Sequence, residues 1–140
     1  VEQLSSTTLQ YFLERFGHLS GAILQSALFI TSGVSGGPGS MLLEFAARDS
    51  QRPATSPQGA ISKLRIRIEE SLEFNLHEPG GGTYTTIKHP IVGMFLQDKF
   101  FLNFDPVNSK DWTIEEWDKD QMRKSVFYVA GARISWEIED

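Results

Sequence analysis

Histidine is the side chain from which a general base or a metal site would most readily be built, because its proton comes off near neutral pH and its ring nitrogens bind metals. His18, His77 and His89 stand at a helix end, at a strand end and before Pro90, with neither HExxH nor HxH spacing between them. They read as turn residues. Glu69, Glu70 and Glu73 have the look of paired carboxylates for acid and base work. In an extended segment, however, Glu69 and Glu73 share the wet face with Arg65 and Arg67, the pattern of compensating surface charge. Glu70 is out of phase, so it either points inward with a raised pKa or is expelled by a bend, and the bend is the simpler solution.

The glycine clusters over residues 33–39 and 80–82 are not followed by Lys-Ser or Lys-Thr and open no helix, so they lack the donors and the cation of a phosphate loop. Ser35 lies in GVSGG, but in a long hairpin loop and not in the strand-to-helix turn of a nucleophile elbow. With no cysteine in the chain, thiolate chemistry, disulfides and cysteine-based zinc sites are excluded. No catalytic residue, metal ligand or cofactor is assigned.

Aromatic residues set among charges form the remaining constellation. From Asp105 to Asp140 nine acidic residues face five basic ones, a balance of −4 within a chain of net charge −5. Asp111, Trp112, Glu115, Glu116, Trp117, Asp118 and Asp120 are the candidate partner-binding residues, since tryptophan rimmed by charge is a common make-up of an interface centre. An acidic surface suits a basic protein and not nucleic acid, whose phosphates call for clustered Lys and Arg. Tyr84, Phe95, Phe101 and Trp136 are the candidate lining of a small-ligand pocket, the alternative function.

The elements that position these residues are organised around KLRIRIEESLEFNLH, residues 63–77. Leu64, Ile66, Ile68, Leu72, Phe74 and Leu76 alternate with Lys63, Arg65, Arg67, Glu69, Glu73 and Asn75, which predicts a strand with one buried face and a bend or bulge at Glu70. A tight turn joining two short strands is the alternative, disfavoured because no Gly, Asn or Pro stands at residues 69–71. Leu9, Phe12, Leu13 and Phe16 form the apolar stripe of a helix over Thr7 to Phe16, with capping-box spacing at Thr7 and Gln10 and Gly17 as the left-handed closing residue. Ala22–Thr31 and Met41–Ala47 predict a hairpin with a Gly-rich connection, and residues 48–60 a polar linker. Tyr84–Lys88 predicts a short edge strand, an edge that could support a homodimer. Ile91–Leu96 and Lys99–Phe104 predict a second hairpin turning at Gln97 and Asp98, with Phe100, Leu102 and Phe104 facing the core. Ser125–Glu139 predicts a long strand with Val126, Tyr128, Ile134, Trp136 and Ile138 in one phase and a bulge or bend at Ala130–Gly131–Ala132. Thr113 and Glu116 have capping-box spacing, which places a short second helix near 113–122, with an irregular lobe as the alternative.

A chain of 140 residues with 40% hydrophobic content is enough for one core, so residues 1–140 read as a single α+β domain. Its expected form is an N-terminal helix packed on a curved, mostly antiparallel sheet of about six or seven strands, a half-open barrel or two layers. No apolar run approaches the roughly 18 residues that span a bilayer, and VEQLSSTTLQ is not a signal peptide, which implies a soluble, cytoplasmic protein. Val1 is not an initiator methionine, so residues ahead of it stay open.

With FGHLSGA closing the first helix, then LRIRIEESLEFNL, MFLQDKFFLNFD and SVFYVAGARISWEIE, the layout resembles that of small bacterial immunity-like proteins of polymorphic toxin systems. Such relatives often start the first strand on His-Asp-Ala, where this chain reads His18, Leu19, Ser20, Gly21, Ala22. The resemblance implies a non-enzymatic protein that neutralises a partner by occluding it, and it carries over no functional residue.

Overall fold

The computed structural model describes residues 1–35, 37–53, 55, 60–76, 85–96, 98–105 and 127–139. The short helix expected near 113–122, His77, Tyr84, the turn residue Gln97 and Val126 lie outside the described residues.

The chain begins with β1 (Glu2–Gln3) and α1 (Leu9–Arg15), followed by a single 3-10 turn, Gly17–Leu19. The strands β2 (Ile23–Ile30), β3 (Ser40–Arg48), β4 (Ile61–Glu69), β5 (Glu73–Leu76), β6 (Thr85–Thr86), β7 (Val92–Leu96), β8 (Lys99–Asn103), β9 (Phe127–Gly131) and β10 (Arg133–Glu139) complete the order. The α+β reading stands, but the curved sheet of six or seven strands does not. A six-stranded sheet, β1-β10-β4-β3-β2-β6, and a four-stranded one, β5-β9-β8-β7, form separate ladders that face each other across one core, and neither closes into a barrel. The pairings within both are antiparallel.

The reason for two sheets lies at the two bends. β4 pairs with β10 in the first sheet and β5 with β9 in the second, so one long two-stranded ribbon is folded over at residues 70–72 and 131–132. Strands that bend from one sheet into another are a recognised way of making a corner between packed sheets. Glu70 and Ser71 take the left-handed backbone conformation, at φ +60° and +57°. These are the positive angles of a tight turn, held here without Gly or Asn, yet β4 and β5 form no hairpin. On the opposite strand the Ala132 N–H donates to the Glu70 carbonyl at 2.7 Å. Gly131 is required there by space: a Cβ would lie 2.6 Å from Ile68 Cγ2 and 2.8 Å from the Glu69 carbonyl oxygen.

The two arms of the corner treat phase differently. Leu64, Ile66 and Ile68 are fully buried, and Phe74 and Leu76 keep the even-numbered face by pairing with Val129 and Phe127. At the sheet edge, however, Phe74 and Leu76 stay 42% and 38% exposed, so the expected buried face ends at Leu72. The other arm changes parity. Phe127 and Val129 enter the main core from β9, but Ile134 and Trp136 enter it from β10, and Tyr128, expected in phase with them, points to the opposite side of its sheet. One residue inserted at the bend is what a bulge does to a period of two.

The main core fills the space between the inner face of the six-stranded sheet (Met41, Leu43, Phe45, Leu64, Ile66, Ile68, Ile134) and two covers. One is α1, whose Phe12 and Phe16 rings meet Trp136 at 5.5 and 5.3 Å. The second is the face of the four-stranded sheet carrying Phe100, Leu102 and Phe104, as the alternation predicts. Phe101, Tyr128 and Ala130 form a separate cluster on its far face, with Val92, Met94 and Leu96.

The helix starts at Leu9, two residues later than expected, and its N-cap Thr8 makes no side-chain cap bond. In place of a box at Thr7 and Gln10, the turn ahead of the helix is closed by Ser5 and Thr8: the Ser5 N–H donates to Thr8 Oγ1 at 2.8 Å and the Thr8 N–H to Ser5 Oγ at 3.2 Å. Gly17 closes the helix at φ +59°, and His18 and Leu19 continue in the same left-handed region at +55°.

Candidate functional site

The residue types most suited to catalysis are spread apart. His18 is half-buried in the left-handed turn, its carbonyl accepting from the Ile91 N–H at 2.9 Å, while His89 is exposed. Among the described residues no group of three or more His, Asp or Glu could hold a metal ion. At the corner the Glu69 and Glu70 carboxylates share Arg133 Nη2, while Glu73 has other partners. Glu69 takes Arg133 at 2.7 Å, Glu73 takes the Tyr128 hydroxyl at 2.9 Å and Lys99 at 3.4 Å, and Glu70 is expelled to solvent, 3.2 Å from Arg133. Ser20 and Ser35 are exposed loop residues.

The outer face of the six-stranded sheet carries a charge network. Glu44 on β3 accepts from Ser26 Oγ at 2.8 Å and Arg65 Nε at 3.0 Å, with Lys63 at 3.4 Å. Glu139 on β10 takes Lys63 at 3.2 Å and Arg65 at 3.2 Å. The Ser26 and Arg65 hydrogen bonds hold the Glu44 carboxyl below the usual carboxylate range, and Glu139 with Glu44 raises Lys63. Beside this network lies a cleft of about 400 Å3 lined by Gln25, Ala46, Arg52, Ile61, Ser62, Lys63 and Glu139. Its charges of opposite sign hold one another, as in a solvated sheet face.

A buried carboxylate lies where sequence reasoning read only polar linker. Asp49 is 3% exposed and receives Arg15 in a two-point contact, Nε to Oδ1 and Nη2 to Oδ2, both at 3.0 Å. The Gln51 N–H at 3.0 Å and Ser62 Oγ at 3.2 Å complete its shell. Burial pushes its pKa up, but the Arg15 guanidinium and these donors outweigh that and leave it below its ordinary value. The Arg15 guanidinium also lies 5.2 Å from the centroids of Phe16 and Trp136. The pair fastens α1 to the end of β3, a structural role.

Where the described molecule departs most from ordinary burial is β2. Its uncharged run, ILQSALFI, in which only Gln25 and Ser26 are polar, is the most open of the longer strands: Leu28 is 53%, Phe29 49% and Ile30 37% exposed. β6 covers only Ile23 and Leu24, and a register irregularity separates Leu24 from Ser26. From Gln25 to Ile30 no described strand pairs on the side away from β3. Leu28 and Ile30 lie on the outer face opposite Leu42 and Ser40, while Ala27 and Phe29 lie on the inner face opposite Leu43 and Met41. Phe29 stays half-exposed, its ring lying against Gly39 and meeting the edge ring Phe74 at 5.7 Å. Continuity of apolar residues with no charge among them was the signal available, and it does not distinguish a buried strand from an apolar edge.

The partner-binding residues named from sequence, Asp111, Trp112, Glu115, Glu116, Trp117, Asp118 and Asp120, lie outside the described residues. Their segment leaves and re-enters at neighbouring strand ends: the Phe104 N–H donates to the Phe127 carbonyl at 2.9 Å, and the two rings stack at 4.6 Å. Of the ligand-lining residues, Tyr84 also lies outside. Phe95 is half-exposed against Phe100, Phe101 belongs to the second cluster, and Trp136 is buried in the main core, so these three stand in separate surroundings.

Comparison with protein-family models, with curated proteins and with solved structures finds no match for this chain. Among the described residues no helix is long and apolar enough to cross a membrane.

Proposed function

We propose that this chain is a non-enzymatic protein-binding domain that presents an acidic, tryptophan-containing surface, Asp111 to Asp120, to a basic partner. One observation supports the reading: six bases of the described sheets and helix are held by acids in or beside those same elements, while the sequence from Asp105 to Asp140 carries nine acids against five bases. Arg15 is taken by Asp49, Lys63 and Arg65 by Glu44 and Glu139, Arg67 and Arg133 by Glu69, and Lys99 by Glu73. A surface charge not matched within the fold is available to a partner, where it speeds encounter and rejects partners of like sign. The immunity-like resemblance, with a bacterial and cytoplasmic setting, belongs to this reading and is supported by the layout of helix, hairpins and closing strand.

The test is titration of a basic partner at low and high salt, with the natural chain and with a variant carrying Glu115→Gln, Glu116→Gln, Asp118→Asn and Asp120→Asn. Affinity that falls with salt for the natural chain, and is weaker and less salt-sensitive for the variant, is the expected result. Equal affinity of the two proteins at both salt concentrations overturns it.

A further inference from the structure

We propose a second interaction surface, independent of the acidic segment: the edge of β2 from Gln25 to Ile30, which no described strand covers, pairs antiparallel with β2 of a second copy of this chain about a two-fold axis at Leu28. A sheet edge offers a row of unpaired N–H and C=O groups, and proteins ordinarily guard such edges with Lys, Pro or inward charge. Gln25–Ile30 carries none of these. Both of its faces carry half-exposed apolar side chains, so a strand laid along it gains hydrogen bonds and apolar contact together.

Several features select a second copy as the occupant. A two-fold axis perpendicular to the sheet must place a residue opposite itself, since only then do facing side chains share a side. Centring on Ala27 drives Ile30 against Leu24, which β6 already covers. Centring on Phe29 shortens the overlap. Centring on Leu28 sets Leu28 against Leu28, Ser26 against Ile30 and the small Ala27 against the large Phe29 of the other copy, with no like charges meeting. Area agrees as well. Taking about 200 Å2 for a phenylalanine, Phe29 at 49% and Phe74 at 42% exposure leave roughly 100 Å2 each. Leu28, Ile30 and the 71% exposed Val34 bring the apolar total to the order of 400 Å2 per copy, about half of the ~800 Å2 each partner gives to a stable interface. That share is close to the ordinary apolar fraction of interfaces, the paired backbones and polar atoms supplying the rest. The contact is isologous and closed, so it uses up both edges and propagates no fibre.

The experiment measures the mass of the full chain in solution over a concentration series, by light scattering after size exclusion. A concentration-dependent dimer is expected, and a chain that stays monomeric throughout overturns the proposal. Leu28→Lys places two ammonium groups face to face at the axis and is expected to weaken the dimer about tenfold or more. Because Leu28 is half-exposed, its thermal transition should stay in place. Mixing the Leu28→Lys and Leu28→Glu chains should restore a heterodimer, and failure of that rescue, with both chains folded, excludes this register. The chain has no cysteine, so Leu28→Cys alone should cross-link two copies on oxidation, whereas Ile23→Cys beneath β6 should not. Cross-linking of Ile23→Cys in preference would overturn the pairing. None of these readouts involves residues 111–120, so failure here leaves the basic-partner reading untouched, and the reverse holds too.

Discussion

Asp49 shows what a single buried side chain has to satisfy before it can be left in the interior. Its carboxylate has lost nearly all contact with water, and the Arg15 fork, the Gln51 N–H and the Ser62 hydroxyl replace that solvation. Removing one partner of such a pair strands the other, so Asp49→Ala should cost about 3 kcal/mol, read as a lowered urea midpoint. The pH dependence follows from the direction of the shift. Folding lowers the Asp49 pKa, so the pair's contribution is complete above the unfolded value of about 3.9 and is lost as pH falls through the lower, folded value. Natural protein should therefore lose stability across that acid window, while Asp49→Asn, weaker at neutral pH, should lose less over the same range. Parallel curves for the two proteins would assign the acid loss to other carboxylates.

At the scale of elements, the corner concentrates both strain and tight packing. Glu70 and Ser71 hold left-handed angles that cost an L-residue about 1–2 kcal/mol each. Asn and Gly tolerate those angles, so a Glu70→Asn, Ser71→Gly double variant should be more stable by about 1–2 kcal/mol in urea, since the exposed Glu70–Arg133 contact it gives up contributes little. Gly131→Ala should act in the opposite sense, costing about 1–3 kcal/mol, because its Cβ collides with Ile68 and with the Glu69 backbone. Both bend positions were legible in the sequence as interruptions of a period of two, and so were the helix stripe and the hairpin of β7 and β8. That the bends pass the chain between sheets was not legible, since alternation reports which side of a strand is apolar and not which strand lies beside it. The same limit explains β2: an uncharged apolar run says that water is disfavoured there, but whether this chain or another supplies the cover depends on neighbours distant in sequence. The Arg15–Asp49 pair joins residues 34 apart with no periodic pattern between them, so nothing local announced it.

For the whole molecule, the order of the strands makes folding a non-local event. β1 pairs with β10 and β4 with β10, and Glu69 finds Arg133 across 64 residues, so the six-stranded sheet cannot be completed until both ends of the chain are in place. The ribbon that forms the corner is likewise assembled from β4–β5 and β9–β10, whereas among the described elements the consecutive pairings β2–β3, β3–β4 and β7–β8, with α1, are local. Loop-closure entropy must be met before such pairings return any contact energy, and β-rich domains of this kind fold in milliseconds to seconds. Trp136, packed against Phe12, Phe16 and Arg15, reports the moment at which the helix docks on β10. In a Trp112→Phe, Trp117→Phe background its fluorescence after dilution from urea should change on the millisecond-to-second scale. Leu4→Ala should mainly speed unfolding: this fully buried residue ties β1 to β10 through a 2.8 Å bond from its N–H to the Ile134 carbonyl, a closure that needs both distant ends and forms late. A fluorescence change completed within microseconds would mean that helix docking precedes the distant pairings, and the order argued from topology would then be reversed.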